Sequence, residues 1–212
     1  MVLKKGDFVE LDFVGKVAAT GQVFDSTLEK KEPIVVPIGA GMILKALDSA
    51  LIDKEVGQEF ELELKPEDAF GQRNPSLVQL TSINTFRQHN VNPVPGLQVN
   101  LDGVLATIRS VTGGRVIIDF NHPLAGKALK FWVKINKLVT GVEDKIKALC
   151  EWKPSIKVKE KEIEISVENK LPEKVAELKA QQLKALIPEI KDKEIKFAAH
   201  KEEKIKEEKK AK

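Results

Sequence analysis

A chain of 212 residues with 42% hydrophobic content can bury a sizeable core, as one large domain or roughly two to three small ones. Its 35 Lys plus Arg against 32 Asp plus Glu leave a net charge of +3, too small and too evenly mixed to argue for a nucleic-acid surface. One cysteine, Cys150, excludes an internal disulfide, and three scattered histidines (His89, His122, His200) argue against a metal centre, so neither metal nor cofactor is expected. The opening MVLKKGDFVELDFVG breaks its few apolar residues with charge, and no apolar run reaches the roughly 18 residues of a membrane span. The expectation is a reduced, cytoplasmic protein that does not engage membranes.

The first part of the chain reads as strands. Val9, Leu11 and Phe13 alternate with Glu10 and Asp12; Ile34, Val36 and Ile38 alternate next; Phe60, Leu62 and Leu64 face away from Glu61 and Glu63. Leu129, Phe131, Val133 and Ile135 repeat the period later. Period-two alternation predicts strands with one buried and one wet face, as in an antiparallel sheet. Trp132 falls on the face opposite Phe131, where it would pack on another element. One helix interrupts: over MILKALDSAL, residues 42 to 51, Ile43, Leu47 and Leu51 form a stripe, with Lys45, Asp48 and Ser49 facing away. A short helix on the sheet would bury both apolar faces.

Residues 76 to 120 change character. QHNVNPVPGLQVN reads as a loop, and LDGVLATIRSVTGGRVIIDF as a hairpin around Thr112-Gly113-Gly114. So small a β-rich unit is not expected to cover all of Leu77, Val78, Leu80, Ile83 and Phe86. After Trp152-Lys153-Pro154, Ile163, Ile165 and Val167 predict a strand, residues 172 to 187 a helix opened by Pro172, and Ile195, Phe197 and Ala199 another strand. A segment this short has a thin core, to be completed by a second copy or by packing on Trp132 or Trp152. The tail KEEKIKEEKKAK predicts a solvated, frayed end.

Three stretches invite chemical readings. IGAGMILK, residues 38 to 45, has a strand, two glycines and a helix in order, but lacks the third glycine and the βαβ setting of a nucleotide site. Gly39 and Gly41 instead let the chain turn tightly, and the turn leaves helix-start N–H groups able to serve a ligand carbonyl. In TGQVFDST, residues 20 to 27, Asp25 follows Phe24 either as a turn carboxylate or as one polar group at the mouth of an apolar pocket. His122 in NHPLAGK has no nucleophile motif beside it and reads as a loop histidine making one structural hydrogen bond.

As an ordered set these pieces resemble the FKBP-type peptidyl-prolyl cis-trans isomerases: DFVG at 12–15, GQVFDST at 21–27, PIVVPIGAGMILKALDSAL at 33–51, VGQEFELELKPEDAFG at 56–71 and NHPLAGKALKFWVKI at 121–135. The resemblance covers residues 5 to 139. The stretch between Ala69-Phe70-Gly71 and Leu129-Lys130-Phe131 resembles the insert-in-flap domain of long prokaryotic and archaeal members, and the C-terminal segment that of long archaeal members.

The resemblance implies an α+β fold in which an antiparallel sheet wraps on a short helix, with a β-rich inserted domain and a small α+β C-terminal domain. The isomerase domain would comprise residues 1–75 and 121–152, the insert-in-flap chaperone domain 76–120, and the C-terminal domain 153–212. It implies an isomerase acting on unfolded or proline-containing polypeptides, with chaperone action through the insert. The rival is a non-catalytic holdase with a vestigial pocket; a third reading is a homodimer scaffold built through the C-terminal domain. Carried over by position, the catalytic residues are Asp25, Phe131 and Leu44, the last through its backbone N–H. The substrate-binding set is Phe13, Phe24, Ile34, Ile43, Leu47, Phe70, His122 and Leu124. The chain departs from the family in having Phe13 and Phe70 where tyrosines are usual, Leu47 in place of a tryptophan, and Ile34 at an aromatic position.

Overall fold

The computed structural model describes residues 1–101, 103–150, 154–167 and 171–199; Trp152, His200 and the lysine-rich tail lie outside the described residues. β1 (Phe8–Val17) pairs antiparallel with β9 (Leu129–Val139) along its whole length, from Phe8 opposite Val139 to Val17 opposite Leu129. The other edge of β1 is shared by β2 (Val23–Ser26) and β3 (Ile34–Pro37), and β4 (Glu59–Leu64) closes the sheet on the far side of β9. The predicted alternation holds: Val9, Leu11, Leu129, Phe131, Val133 and Ile135 are buried on one face with Leu47 and Leu51. On the other face charges pair across strands, Lys130 with Glu61 at 2.7 Å and Lys134 with Glu59 at 2.8 Å.

The helix predicted over 42–51 is shorter. After the single turn α1 (Thr27–Lys30), α2 runs Lys45–Ala50, because Gly41 sits at φ 70° and Leu44 at φ −52°, ψ 130°, which holds the preceding residues in a turn. Asp48, expected to face solvent, is instead buried. Its carboxylate accepts hydrogen bonds from the N–H of Gly39 at 2.7 Å and of Gly41 at 3.1 Å. The glycine turn directs backbone donors inward over the helix, and buried donors require an acceptor.

Between β4 and β9 the chain builds a second antiparallel sheet from β5 (Val78–Ser82), β6 (Gln98–Leu101), β7 (Val104–Thr112) and β8 (Arg115–Asp119), in the order β5-β8-β7-β6. The predicted hairpin forms with Thr112 opposite Arg115, across Gly113 and Gly114 at φ 56° and 76°. An unpredicted helix, α3 (Ile83–Gln88), is capped by the Ser82 side chain and drops Phe86 into the core with Val99, Ile108, Val116 and Ile118. Phe86 is therefore covered and Ile83 and Val78 partly so, whereas Leu77 and Leu80 stay exposed.

After β9, α4 (Val142–Ala148) and β10 (Ile156–Val158) were not foreseen, while β11 (Glu162–Val167), α5 (Glu173–Leu186) and β12 (Glu194–Ala199) were. β11 and β12 are parallel, joined by α5 as a crossover. The core here is not closed by Trp132. Ile163, Ile165, Leu183, Ile187 and Ile190 pack with Phe8, Val139 and Ile146, residues of β1, β9 and α4. Lys145 is nearly buried, pairs with Glu189 and lies 5.5 Å over the Phe8 ring, a second tie between the two regions.

Two chain segments join the inserted sheet to the rest, and one carboxylate binds them. Asp119 is buried; it accepts from Arg109 Nε at 2.8 Å, from Asn121 N–H at 3.0 Å and Nδ2 at 2.7 Å, and pairs with the Arg73 guanidinium. Asn121 in turn accepts from Asn74 N–H at 2.8 Å and donates to Asn74 O at 2.9 Å. Burial pushes the Asp119 carboxyl up, but the Asn121 and Arg109 hydrogen bonds and the Arg73 charge outweigh it and hold it below the ordinary carboxylate range. A depressed folded-state pKa gives stability that is present above the unfolded value, near pH 4, and lost as pH falls through the folded value. Asp119→Asn should therefore lower unfolding stability at pH 7 by about 1–3 kcal/mol. In denaturant titrations the gap to wild type should close below about pH 4; a gap constant down to pH 2 would contradict this role.

Candidate active site

The aromatic cluster on the buried face of the main sheet begins with a missing side chain. A Cβ on Gly15 would stand 2.6 Å from Phe24 Cζ and 3.1 Å from Phe131 Cε1, so only glycine lets both rings close over β1. Phe24 then meets Phe131 edge-on, with centroids 5.7 Å apart and planes at 84°, and Phe13 lies 6.4 Å from Phe131 at 46°. Phe131 is buried under these rings, in one core cluster with Leu47. Ile34, Ile43, Leu44, Phe70 and Leu124 are partly buried against the same cluster.

A bulge explains why Phe24 and Asp25, adjacent in sequence, serve one site. Gly15 pairs with Asp25, but the next residue, Lys16, pairs with Val23, so Phe24 is the extra residue of β2. Neighbouring side chains on a regular strand point to opposite faces; a bulge re-aims one of them. Phe24 reaches Phe131 while Asp25, opposite Gly15, takes the same face. Asp25 is not a lone carboxylate. Its Oδ1 accepts from Ser26 N–H at 2.9 Å and pairs with Lys30 Nζ at 2.7 Å, and this hydrogen bond holds the exposed Lys30 ammonium above its ordinary range.

Leu44 is the residue at the N-terminal edge of α2, and among the described residues no acceptor takes its N–H. It lines an open cleft of about 910 Å3 with Ile43 and Phe70. Phe70 stacks on His122 at 4.2 Å and 4°, and His122 Nδ1 accepts from Leu124 N–H at 3.2 Å, so this histidine makes the structural bond expected of it. A second open cleft, about 1040 Å3, holds Phe13, Asp25 and Ile34. Phe13, Phe24, Ile34, Ile43, Leu44, Leu47, Phe70, Leu124 and Phe131 thus share one apolar cluster whose surface is divided between two clefts, and Asp25 and His122 stand beside it. Sequence reading missed Gly15, Asp48 and Lys30. A glycine inside the strand DFVGKV was a readable sign of close approach; nothing in the sequence marked the other two. Among the described residues no group of three His, Cys, Asp or Glu side chains could hold a metal ion.

The arrangement offers apolar contact, a carboxylate tied to a cation and, among the described residues, a backbone donor that no acceptor takes. A family model described as FKBP-type peptidyl-prolyl cis-trans isomerase matches residues 2–85, and one described as FKBP26, IF domain, matches residues 79–124. A short-type peptidyl-prolyl cis-trans isomerase of Methanocaldococcus jannaschii is 33% identical over 147 residues, which is 63% of this chain and 92% of that protein. A probable FKBP-type 16 kDa peptidyl-prolyl cis-trans isomerase of Pseudomonas fluorescens is 37% identical over 120 residues, 54% of this chain and 78% of that protein. The FKBP-type peptidyl-prolyl cis-trans isomerase SlyD of Treponema pallidum is 32% identical over 134 residues, 61% of this chain and 75% of that protein. With the first of these matched over nearly its whole length, the chain belongs to the FKBP-type peptidyl-prolyl cis-trans isomerases.

Proposed function

We propose that the protein turns X–Pro bonds in unfolded or partly folded polypeptides at the wall formed by Phe13, Phe24 and Phe131, and holds those polypeptides on its inserted sheet. The close-packed rings with Asp25 on the same face are the observation that carries the reading. Rotation about the planar amide meets a barrier of about 18–20 kcal/mol because resonance is lost in the twisted state. The twisted carbonyl is less polar than the planar one, so an apolar wall favours it in relative terms. A thousandfold acceleration needs only about 4 kcal/mol of such preference. The substrate carbonyl is held by Leu44 N–H, and Ile34, Ile43, Leu47, Phe70, His122 and Leu124 complete the walls. Asp25, compensated by Lys30, acts by fixing the bulge that aims Phe24 more than as a free charge. Asp48 holds the glycine turn that presents Leu44.

The domain division we propose is 1–75 with 121–152 for the isomerase, 76–120 for the insert and 153–212 for the C-terminal domain. Leu80 is 60% exposed and Ile117, directly opposite it on β8, 37% exposed. Two adjacent apolar side chains on the wet face of a sheet support a chaperone surface of low sequence selectivity. The single cysteine supports a reducing, cytoplasmic setting, and the evenly mixed charge a polypeptide partner in place of nucleic acid. An archaeal origin accords with the Methanocaldococcus relative. Association of two copies would use the exposed Val175 and Leu178 of α5.

Two outcomes follow. Phe131→Ala and Gly15→Ala should each lower kcat/KM on a proline tetrapeptide at least about tenfold, about 1.4 kcal/mol of transition-state stabilisation. Full activity in folded variants, checked by circular dichroism, would contradict the pocket. The double variant Leu80→Lys, Ile117→Lys should leave tetrapeptide turnover within about twofold. It should cut catalysis of a proline-limited refolding reaction at least about tenfold and abolish suppression of aggregation. Equal loss on both substrates would mean that the inserted sheet is part of the pocket and not a separate surface.

A further inference from the structure

The cleft that contains Phe13, Asp25 and Ile34 does not stop at the pocket. The edge of β1 has no strand beside Asp12 and Phe13, because β2 pairs only as far as Val14 and β3 begins opposite Leu11. A single side chain bridges that gap: Thr27 Oγ1 accepts from Phe13 N–H at 2.9 Å and donates to Asp12 Oδ1 at 2.7 Å. The cleft passes over the sheet edge here. It continues along Val35, Leu138 and Val139 to Ala148 on α4, and then to Cys150 and Pro154. Val35 and Val139 belong to the core shared with the C-terminal segment, so the two ends of the cleft lie on opposite faces of the sheet.

We infer that this cleft is an extended subsite for the polypeptide flanking the proline, and that α4 and Pro154 form its far wall. The inference rests on reading Phe13, Phe24 and Phe131 as the proline pocket. The occupant follows from continuity and charge. Phe13 and Ile34 belong both to the cleft and to the apolar cluster around Phe131, so a chain leaving the pocket by this side enters the cleft. Six of the seven charged side chains along it pair with each other: Lys30 with Asp25 at 2.7 Å, Lys137 with Glu10 at 3.0 Å, Lys147 with Asp144 at 3.9 Å; Glu32 is the seventh. This pairing leaves little net charge to select an ionic ligand. What remains is an apolar floor, open along its length, which suits an extended chain with apolar side chains. A volume of about 1040 Å3 slightly exceeds the roughly 300–1,000 Å3 of small-ligand pockets.

Cys150, the only cysteine, is partly exposed at the far end and reports on occupancy without any substitution. Burial pushes its thiol up, with Lys179 opposing, so its reaction with a thiol reagent is best followed above pH 8. The full chain is titrated with a permanently unfolded, carboxymethylated, proline-containing protein, and in parallel with a proline tetrapeptide. The unfolded protein should slow Cys150 modification at least about fivefold, and the tetrapeptide should leave it within about twofold. Unchanged reactivity at the highest concentration of unfolded protein would overturn the inference. So would equal protection by the tetrapeptide, which would indicate a distant effect of filling the pocket. Ala148→Arg should raise the Kd for the unfolded protein about tenfold, and an unchanged Kd in a folded variant would also overturn it. The thiol measurement needs no turnover. A protein that shields Cys150 without isomerising tetrapeptides would contradict the isomerase reading and keep the subsite.

Discussion

The β1–β9 ladder sets the positions of nearly everything else. Its register places Phe131 opposite Gly15, the one residue that leaves room for two aromatic rings above the strand. Past a register shift between Glu10 and Leu11, Phe8 lies opposite Val139 at the other end, where those two side chains become part of the C-terminal core. Because β4 pairs with β9 directly, the residues between them must leave and re-enter at one place, and the inserted sheet is that excursion. A slip of one residue would reverse the faces of β1 and remove the pocket and the shared core together.

Much of this was legible as alternation. The strands of the main sheet and the order β11, α5, β12 follow from apolar period alone, since burial of one face is a local pattern. The short helix was legible as a stripe but not in its limits. Gly41 and the conformation of Leu44 break it early, and a stripe does not record backbone angles. Asp48 was misread for a related reason: polarity predicts exposure unless backbone donors need the group, and those donors arise from the turn. α3 was hidden by its length and by residues of modest helix propensity.

The candidate pocket residues came from resemblance to a family, and the structure adds which of them lie together and why. The bulge at Phe24 brings a ring and a carboxylate to one face. Lys30, between the two motifs at 21–27 and 33–51 and part of neither, compensates that carboxylate, so the candidate site carries less free charge than Asp25 alone suggests. Phe13 and Phe70 bring no hydroxyl to the wall and keep it apolar, which accords with the proposed catalysis by environment and without proton transfer. The C-terminal segment, too short for an independent core, borrows Phe8 and Val139 and so lies against the same sheet that forms the pocket.

The central claim is that the amide rotates in an apolar environment and that no group in the site gives or takes a proton. The most direct measurement is the pH dependence of kcat/KM on a proline tetrapeptide, for wild type and His122→Ala. The account predicts a flat profile between about pH 6 and 8 in both proteins, since neither a general acid nor a general base acts. A steep or bell-shaped profile in wild type that disappears in His122→Ala would contradict it and assign the histidine stacked on Phe70 to acid–base chemistry.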